Sequence, residues 1–151
     1  MRLLLILIVF RFISIPQQIE AQETAWENEN VISSVNWNES RNLIALASRH
    51  FGIEILHLDT DTLVTISVED TGEVADAEFS PDGTLLASVS ADGPLRLWNT
   101  NSGELVSSLG TSHMAARELR WSPDGKLVAV SAVPESQVWD INSQRVLITI
   151  P

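Results

Sequence analysis

EFSPDGTLLASVSADGPLRLWN, residues 78–99, is said again 42 residues later as RWSPDGKLVAVSAVPESQVWD, residues 120–140. Forty-two residues earlier stands a fainter version, NWNESRNLIALASRHFGIEIL, residues 36–56. Three registers carry the period independently. Trp37, Phe79 and Trp121 are spaced by 42 and 42, as are Ala45, Ala87 and Ala129, and Val35, Ala77 and Leu119. The later part of each unit follows: Ile53 with Leu95, Ile55 with Leu97, and Leu63-Val64 with Leu105-Val106. The third unit loses one residue, because Trp98 is followed by Trp139 at a spacing of 41. Repetition on this scale dictates the architecture and is settled before any local reading.

Within a unit the hydrophobic period is two. In ADAEFS, Ala75, Ala77 and Phe79 alternate with Asp76, Glu78 and Ser80, the pattern of a half-buried strand. Ser80-Pro81-Asp82-Gly83, repeated as Ser122-Pro123-Asp124-Gly125, is a turn. Pro presets the second position, Asp can bond its own backbone, and Gly accepts a positive φ. The next strand, TLLASVS, points Leu85, Ala87 and Val89 one way and Leu86, Ser88 and Ser90 the other. Its counterparts LIALAS and LVAVS are more apolar still, so these strands must be covered on both faces. A second turn, Ala91-Asp92-Gly93, leads into PLRLWN, and Asn101-Ser102-Gly103 turns into ELVSSL. Each unit therefore reads as four short antiparallel strands. The units fall at about 31–68, 73–109 and 116–150.

These features together resemble the WD-repeat β-propeller family. The residues that carry the likeness are F/W-SPDG, the small apolar strand after it, the SADG turn, and the closing LWN or VWD. The resemblance covers residues 31–150 and is strongest at 73–109. It implies an all-β fold of four-stranded antiparallel blades, about three of them and hence an incomplete propeller, since closed rings hold roughly four to eight. Three periods of 42 leave 25 of the 151 residues, so a fragment of a longer propeller is expected, and self-association to complete the ring is the alternative. A tetrad of His, strand Ser, turn Asp and Trp would be implied. Here Ser88 or Ser90, Asp92 and Trp98 fit, but Gly110 and His113 are not the family's Gly-His pair. The periplasmic Tol-type propellers also carry WSPDG turns, but their later strand more often contains Tyr, which this chain lacks.

The N-terminus has another character. Met1-Arg2 precedes LLLILIVF, Arg11 interrupts the run, FISIP follows, and a polar stretch reaches Ala21. A basic start, an apolar stretch and a small residue at the end describe a signal peptide over 1–21, followed by a lead at 22–30 and the repeats at 31–151. The apolar stretch is short for roughly 30 Å of hydrocarbon. Membrane contact is expected only if this segment stays uncleaved as an anchor, and a buried strand is the remaining reading. The expected location is secreted or periplasmic.

The net charge is −11. Residues 1–21 carry Arg2, Arg11 and Glu20, net +1, so their removal takes −11 to −12. Such a surface repels phosphates, and nucleic-acid binding is not expected. With no cysteine there is no disulfide, thiolate nucleophile or cysteine zinc site. No G-x-S-x-G is present. His50, His57 and His113 lack metal-ligand spacing. Catalysis, a cofactor and a metal are therefore not expected. Glu69, Asp70, Glu73, Asp76 and Glu78 put five carboxylates in ten residues, read as a solvated acidic rim, with a calcium site the sharper alternative. Asn38-Glu39-Ser40 is a glycosylation sequon standing where the SPDG turn should be, and is expected to be exposed.

Trp37, Trp121, Trp98, Trp139 and Phe79 are expected in the core. A binding surface, if the resemblance holds, lies on the rim of loops carrying Arg49, His50, Phe51, Asp70, Glu73, Asp92, His113 and Met114. Acid with a few aromatics suits a protein or peptide partner, preferably basic. The functional expectation is a non-catalytic exported scaffold. The alternative is the leading part of a larger secreted or periplasmic enzyme, or a Tol-type propeller, with active residues outside this chain.

Overall fold

A computed structural model describes residues 32–67, 73–91, 93–110 and 115–151. The segment 1–21, the lead 22–30, and Asp70, Asp92, His113 and Met114 lie outside the described residues.

Among the described residues, twelve strands form three separate four-stranded sheets, each from consecutive strands paired antiparallel. The first sheet holds β1 (Ile32–Asn38), β2 (Leu43–Ser48), β3 (Gly52–His57) and β4 (Thr62–Ile66). The second holds β5 (Val74–Phe79), β6 (Leu85–Ser90), β7 (Leu95–Asn99) and β8 (Leu105–Leu109). The third holds β9 (Ala115–Trp121), β10 (Leu127–Val133), β11 (Ser136–Asp140) and β12 (Arg145–Ile150). These are three propeller blades, and β1, β5 and β9 lie next to one another as their inner strands.

The turn chemistry behaves as the residues demand. Gly83 N–H closes on Ser80 O at 2.8 Å, and Gly125 N–H on Ser122 O at 2.9 Å. Asp82 Oδ1 takes the Ser80 hydroxyl at 2.7 Å and Thr84 N–H at 3.0 Å. Asp124 repeats both bonds with Ser122 and Lys126. These donors hold the carboxyls of Asp82 and Asp124 below the usual aspartate range, the serine hydroxyl contributing most. In blade one a short 3-10 turn, Glu39–Arg41, replaces the SPDG turn and is capped by Asn38. The residue lost from the third unit is absorbed between β10 and β11, joined only through Pro134 and Glu135, whereas β6 and β7 are joined through 91–94.

Registers place one row of side chains across each sheet. Trp37, Ile44, Leu56 and Leu63 are cross-strand neighbours, as are Phe79, Leu86, Trp98 and Leu105, and Trp121, Val128, Trp139 and Val146. This row marks the leading face of each blade. The trailing face carries Ala45, Ala47, Ile53 and Ile55 in blade one and Ala87, Val89, Leu95 and Leu97 in blade two.

Two cores follow, one per seam. The first packs the trailing face of blade one on the leading face of blade two, including Phe79, Leu86 and Trp98. The second packs the trailing face of blade two on Leu119, Val128, Val130 and Trp139 of blade three. The two-faced apolar strand β6 is thus the shared wall: Leu86 serves the first core, Ala87 and Val89 the second. Burying one such Leu or Val completely is worth about 1.5–3 kcal/mol. Trp98 is 2% exposed and Trp139 7%, whereas Trp37, expected beside them, is 60% exposed. The physical reason is position: Trp37 lies on the leading face of the first blade, with no preceding blade among the described residues.

Candidate functional site

The loops between β2 and β3, before β5, and between β6 and β7 lie at one end of the sheets, as the Ile32–Ser48 and Val74–Ser90 pairings require. Arg49, His50, Phe51 and Glu73 therefore share this rim and are all exposed, Phe51 at 37%. His50 is tied to its loop by its N–H donating to Ser48 Oγ at 3.1 Å. The rim is mixed in sign among the described residues: Arg49 stands with Glu73 and Glu135. Asp59, Asp61, Asp82 and Asp124 sit in turns at the opposite rim, and Asp140 ends β11 there. There Asp140 is held below the usual range by Ser143 N–H and its hydroxyl. Among the described residues no three His, Asp or Glu side chains are grouped to hold a metal ion.

Asp76 and Glu78, read from sequence with the acidic rim, are not solvated rim residues. Asp76 is 8% exposed and Glu78 half-buried, and both face blade three. Asp76 Oδ1 accepts Ala77 N–H at 2.9 Å, while Oδ2 accepts Leu119 N–H at 3.0 Å and Arg120 Nη1 at 3.1 Å. Glu78 Oε2 accepts Trp121 N–H at 3.0 Å, and the Trp121 indole N–H donates to Glu78 O at 3.0 Å. Burial pushes the Glu78 carboxyl up. Trp121 N–H and Arg120 oppose that shift, while Asp76 and Glu118 add to it.

Blade one is bound to blade two by other side chains, of which Asn36 stands one period before Glu78. Asn36 Oδ1 accepts Phe79 N–H at 3.0 Å, and Asn38 Nδ2 donates to Ser80 O at 3.1 Å. The Ser33 hydroxyl donates to Val74 O at 2.7 Å, and His57 Nε2 lies 2.9 Å from Thr100 O. Asn38 is consequently 7% exposed, and its Oδ1 accepts from Arg41 N–H and the Ser40 hydroxyl. The expectation of an exposed sequon is therefore corrected: the amide nitrogen that would carry a sugar is buried and committed to the seam.

Sequence reading missed these seam residues. The signal was present as Asn36, Glu78 and Arg120 at a spacing of 42, polar side chains on the face opposite each aromatic. Each inner strand has outward N–H groups that no strand of its own sheet pairs, and a neighbouring blade must satisfy them. Inside blade two, the Trp98 indole N–H donates to Ser88 Oγ at 2.8 Å, with Ser88 fully buried. That selects Ser88 over Ser90 as the tryptophan's partner.

The chain matches the model of the anaphase-promoting complex subunit 4 WD40 domain over residues 35–116, more than half its length. It belongs to the WD-repeat family. It is 38% identical over 77 residues to mouse WD repeat-containing protein 1, covering 48% of this chain and 13% of that protein. It is 30% identical over 117 residues to human WD repeat-containing protein 36, covering 72% of this chain and 13% of the relative. The fission yeast U3 small nucleolar RNA-associated protein 21 homolog is 28% identical over 104 residues, covering 69% of this chain and 11% of its own length. This WD-repeat chain thus spans about an eighth of the length of these relatives. WD-repeat proteins are generally non-enzymatic scaffolds, and in this chain side-chain-to-backbone hydrogen bonds tie each blade to the next.

Proposed function

We propose that this WD-repeat chain is an exported, non-catalytic scaffold that holds a protein or peptide on the rim bearing Arg49, His50, Phe51 and Glu73. The observation that carries the reading is the seam. Asn36, Asn38, Asp76 and Glu78 spend their polar groups on the next blade's backbone and leave the loops as the accessible surface. An exposed Phe beside Arg49, His50 and the Glu73 carboxylate is suited to a peptide with an apolar anchor and flanking polar or charged groups. The net charge of −11 supports a basic partner, because long-range attraction raises its rate of encounter. Export rests on the signal-like pattern of residues 1–21.

Fluorescence anisotropy with labelled oligolysine and oligoglutamate peptides, each with and without a central Trp, tests the partner. Oligolysine-Trp should bind best, weaken with salt, and lose affinity in Phe51→Ala. Equal binding of both charges, or no effect of Phe51→Ala, would defeat the reading. Export is tested separately by N-terminal sequencing of material recovered outside a bacterial cytoplasm, where a mature start at Gln22 is expected.

A further inference from the structure

We propose that a second copy of this chain covers the two open blade faces. The leading face of blade one in each copy would pack on the trailing face of blade three in the other, closing a six-bladed ring. Six is within the roughly four to eight blades of closed propellers.

The argument starts from two worked examples inside the chain. Blade one on blade two, and blade two on blade three, are the same joint, leading face against trailing face. Both halves of that joint occur once more without a partner among the described residues. On the leading side of blade one, Val35 is 50%, Trp37 60% and Leu63 56% exposed. On the trailing side of blade three, Ala129 is exposed, and Ile148 and Ile150 are 52% and 53% exposed. Contiguous apolar faces of this kind mark interaction surfaces.

Three details favour this chain itself as the occupant. First, Trp37 occupies the register of Trp121, whose indole N–H donates to the backbone oxygen of Glu78. In the joint between copies the equivalent acceptor is Arg120 O. Second, Glu118 occupies the register of Asp76, which accepts Leu119 N–H. A carboxylate is therefore in place for the equivalent N–H of Val35. Third, the polar departures of the two faces fall at the same level. Glu54, paired with Leu46, is the one ionisable side chain on the strands of the leading face. The trailing face replaces the Val89 and Leu95 of blade two by Ser131 and Ser136, hydroxyl donors towards the same end of the sheet. A carboxylate on one side thus meets two hydroxyls on the other, as a buried polar group requires.

Arg120 departs from the pattern. Its predecessors Asn36 and Glu78 accept a strand N–H, but a guanidinium only donates, and Arg120 is already held by Asp76 and Glu118. The joint between copies is therefore weaker than the internal seams, and the ring forms reversibly with concentration. The association is head-to-tail, which closes or runs on depending on the rotation per copy.

Sedimentation equilibrium of the full 151-residue chain tests this. A species of twice 16.6 kDa is expected, dissociating on dilution. Trp37→Glu and Ala129→Arg alter exposed positions on opposite faces, so each should keep the circular dichroism of the parent and sediment as a monomer. Mixing the two variants leaves one intact leading face and one intact trailing face, and should restore a two-chain species weaker than the parent dimer. A monomeric parent, an open-ended polymer, or a mixture that stays monomeric would each overturn the proposal. So would association that survives both substitutions, which would point instead to the apolar residues 3–10.

Discussion

Gly83 and Gly125 hold the same place in successive turns, and replacing each by alanine separates backbone strain from packing between blades. Both are left-handed, with φ of +67° and +69°. A side chain in that region costs roughly 1–2 kcal/mol. At Gly125 little is added: a Cβ would meet Pro81 Cδ at 3.5 Å, an ordinary contact. At Gly83 the new atom would stand 2.8 Å from Arg41 Cδ and 2.9 Å from Asn38 Oδ1. The arginine can swing away. Asn38 cannot move without disturbing its bond to Ser80 O and its cap on the 3-10 turn, and a broken buried bond costs about 1–3 kcal/mol. Gly125→Ala should therefore destabilise by roughly 1–2 kcal/mol. Gly83→Ala should destabilise by about 2–5 kcal/mol, the strain and the broken bond together. Urea unfolding followed by tryptophan fluorescence gives both values, with unchanged m as the check that the unfolding unit is the same. In an Asn38→Ala background the excess at Gly83 should shrink towards the Gly125 value. Equal losses in the two single variants would refute the claim that Asn38 is a fixed part of the seam.

Three further outcomes follow from the same contacts. Ser88→Ala leaves the Trp98 indole N–H without an acceptor in a dry site and should cost about 1–3 kcal/mol in the same assay, with a changed near-ultraviolet dichroism. Glu78 has a folded-state pKa raised by burial, so the native state binds its proton more tightly than the unfolded chain does. Its contribution is fully present below the unfolded value near 4.5 and is lost as pH rises through the folded one. Glu78→Gln, which keeps an acceptor for Trp121 N–H, should be more stable than the parent at neutral pH and lose that advantage in acid, read from thermal midpoints across pH. Expression in a eukaryotic secretory host should leave Asn38 unglycosylated, and an electrophoretic shift removed by a glycosidase would show the amide to be free.

The strands, their pairing and the blade count were legible because a backbone period of two and a repeat of 42 leave few arrangements. Ser80, Asp82 and Gly83 announce their turn through local chemistry alone. The fate of Trp37 was not legible, because Trp37 and Trp121 are the same residue in the same register, and exposure depends on whether a blade precedes. Asp76 and Glu78 misled for a related reason. A carboxylate in an acidic run reads as solvated until the neighbouring strand's unpaired N–H groups are counted. The rim residues Arg49, His50, Phe51 and Glu73 could be placed by strand length, but their chemistry as a surface depends on how the loops between them are arranged.

The two internal seams solve one geometric problem with different charges, and the difference matches each blade to its own neighbour. Every inner strand offers outward N–H groups to the blade before it. Blade one answers with Asn36, an acceptor indifferent to pH and salt in the ordinary range, and Asn38 donates back to Ser80 O. Blade two answers with Asp76 and Glu78, and blade three returns Arg120 to Asp76 at 3.1 Å. Placing blade two directly before another copy of itself would bring Asp76 and Glu78 against a strand with Glu78 where Arg120 belongs, adding repulsion where attraction is needed. Wrong pairings are therefore disfavoured by charge while the apolar rows, nearly identical from blade to blade, supply affinity without discrimination. With the Arg120 side chain 59% exposed and the Asp76 side chain only 12%, salt screens this pair from one side, so the seam between blades two and three should loosen with ionic strength before the seam between blades one and two.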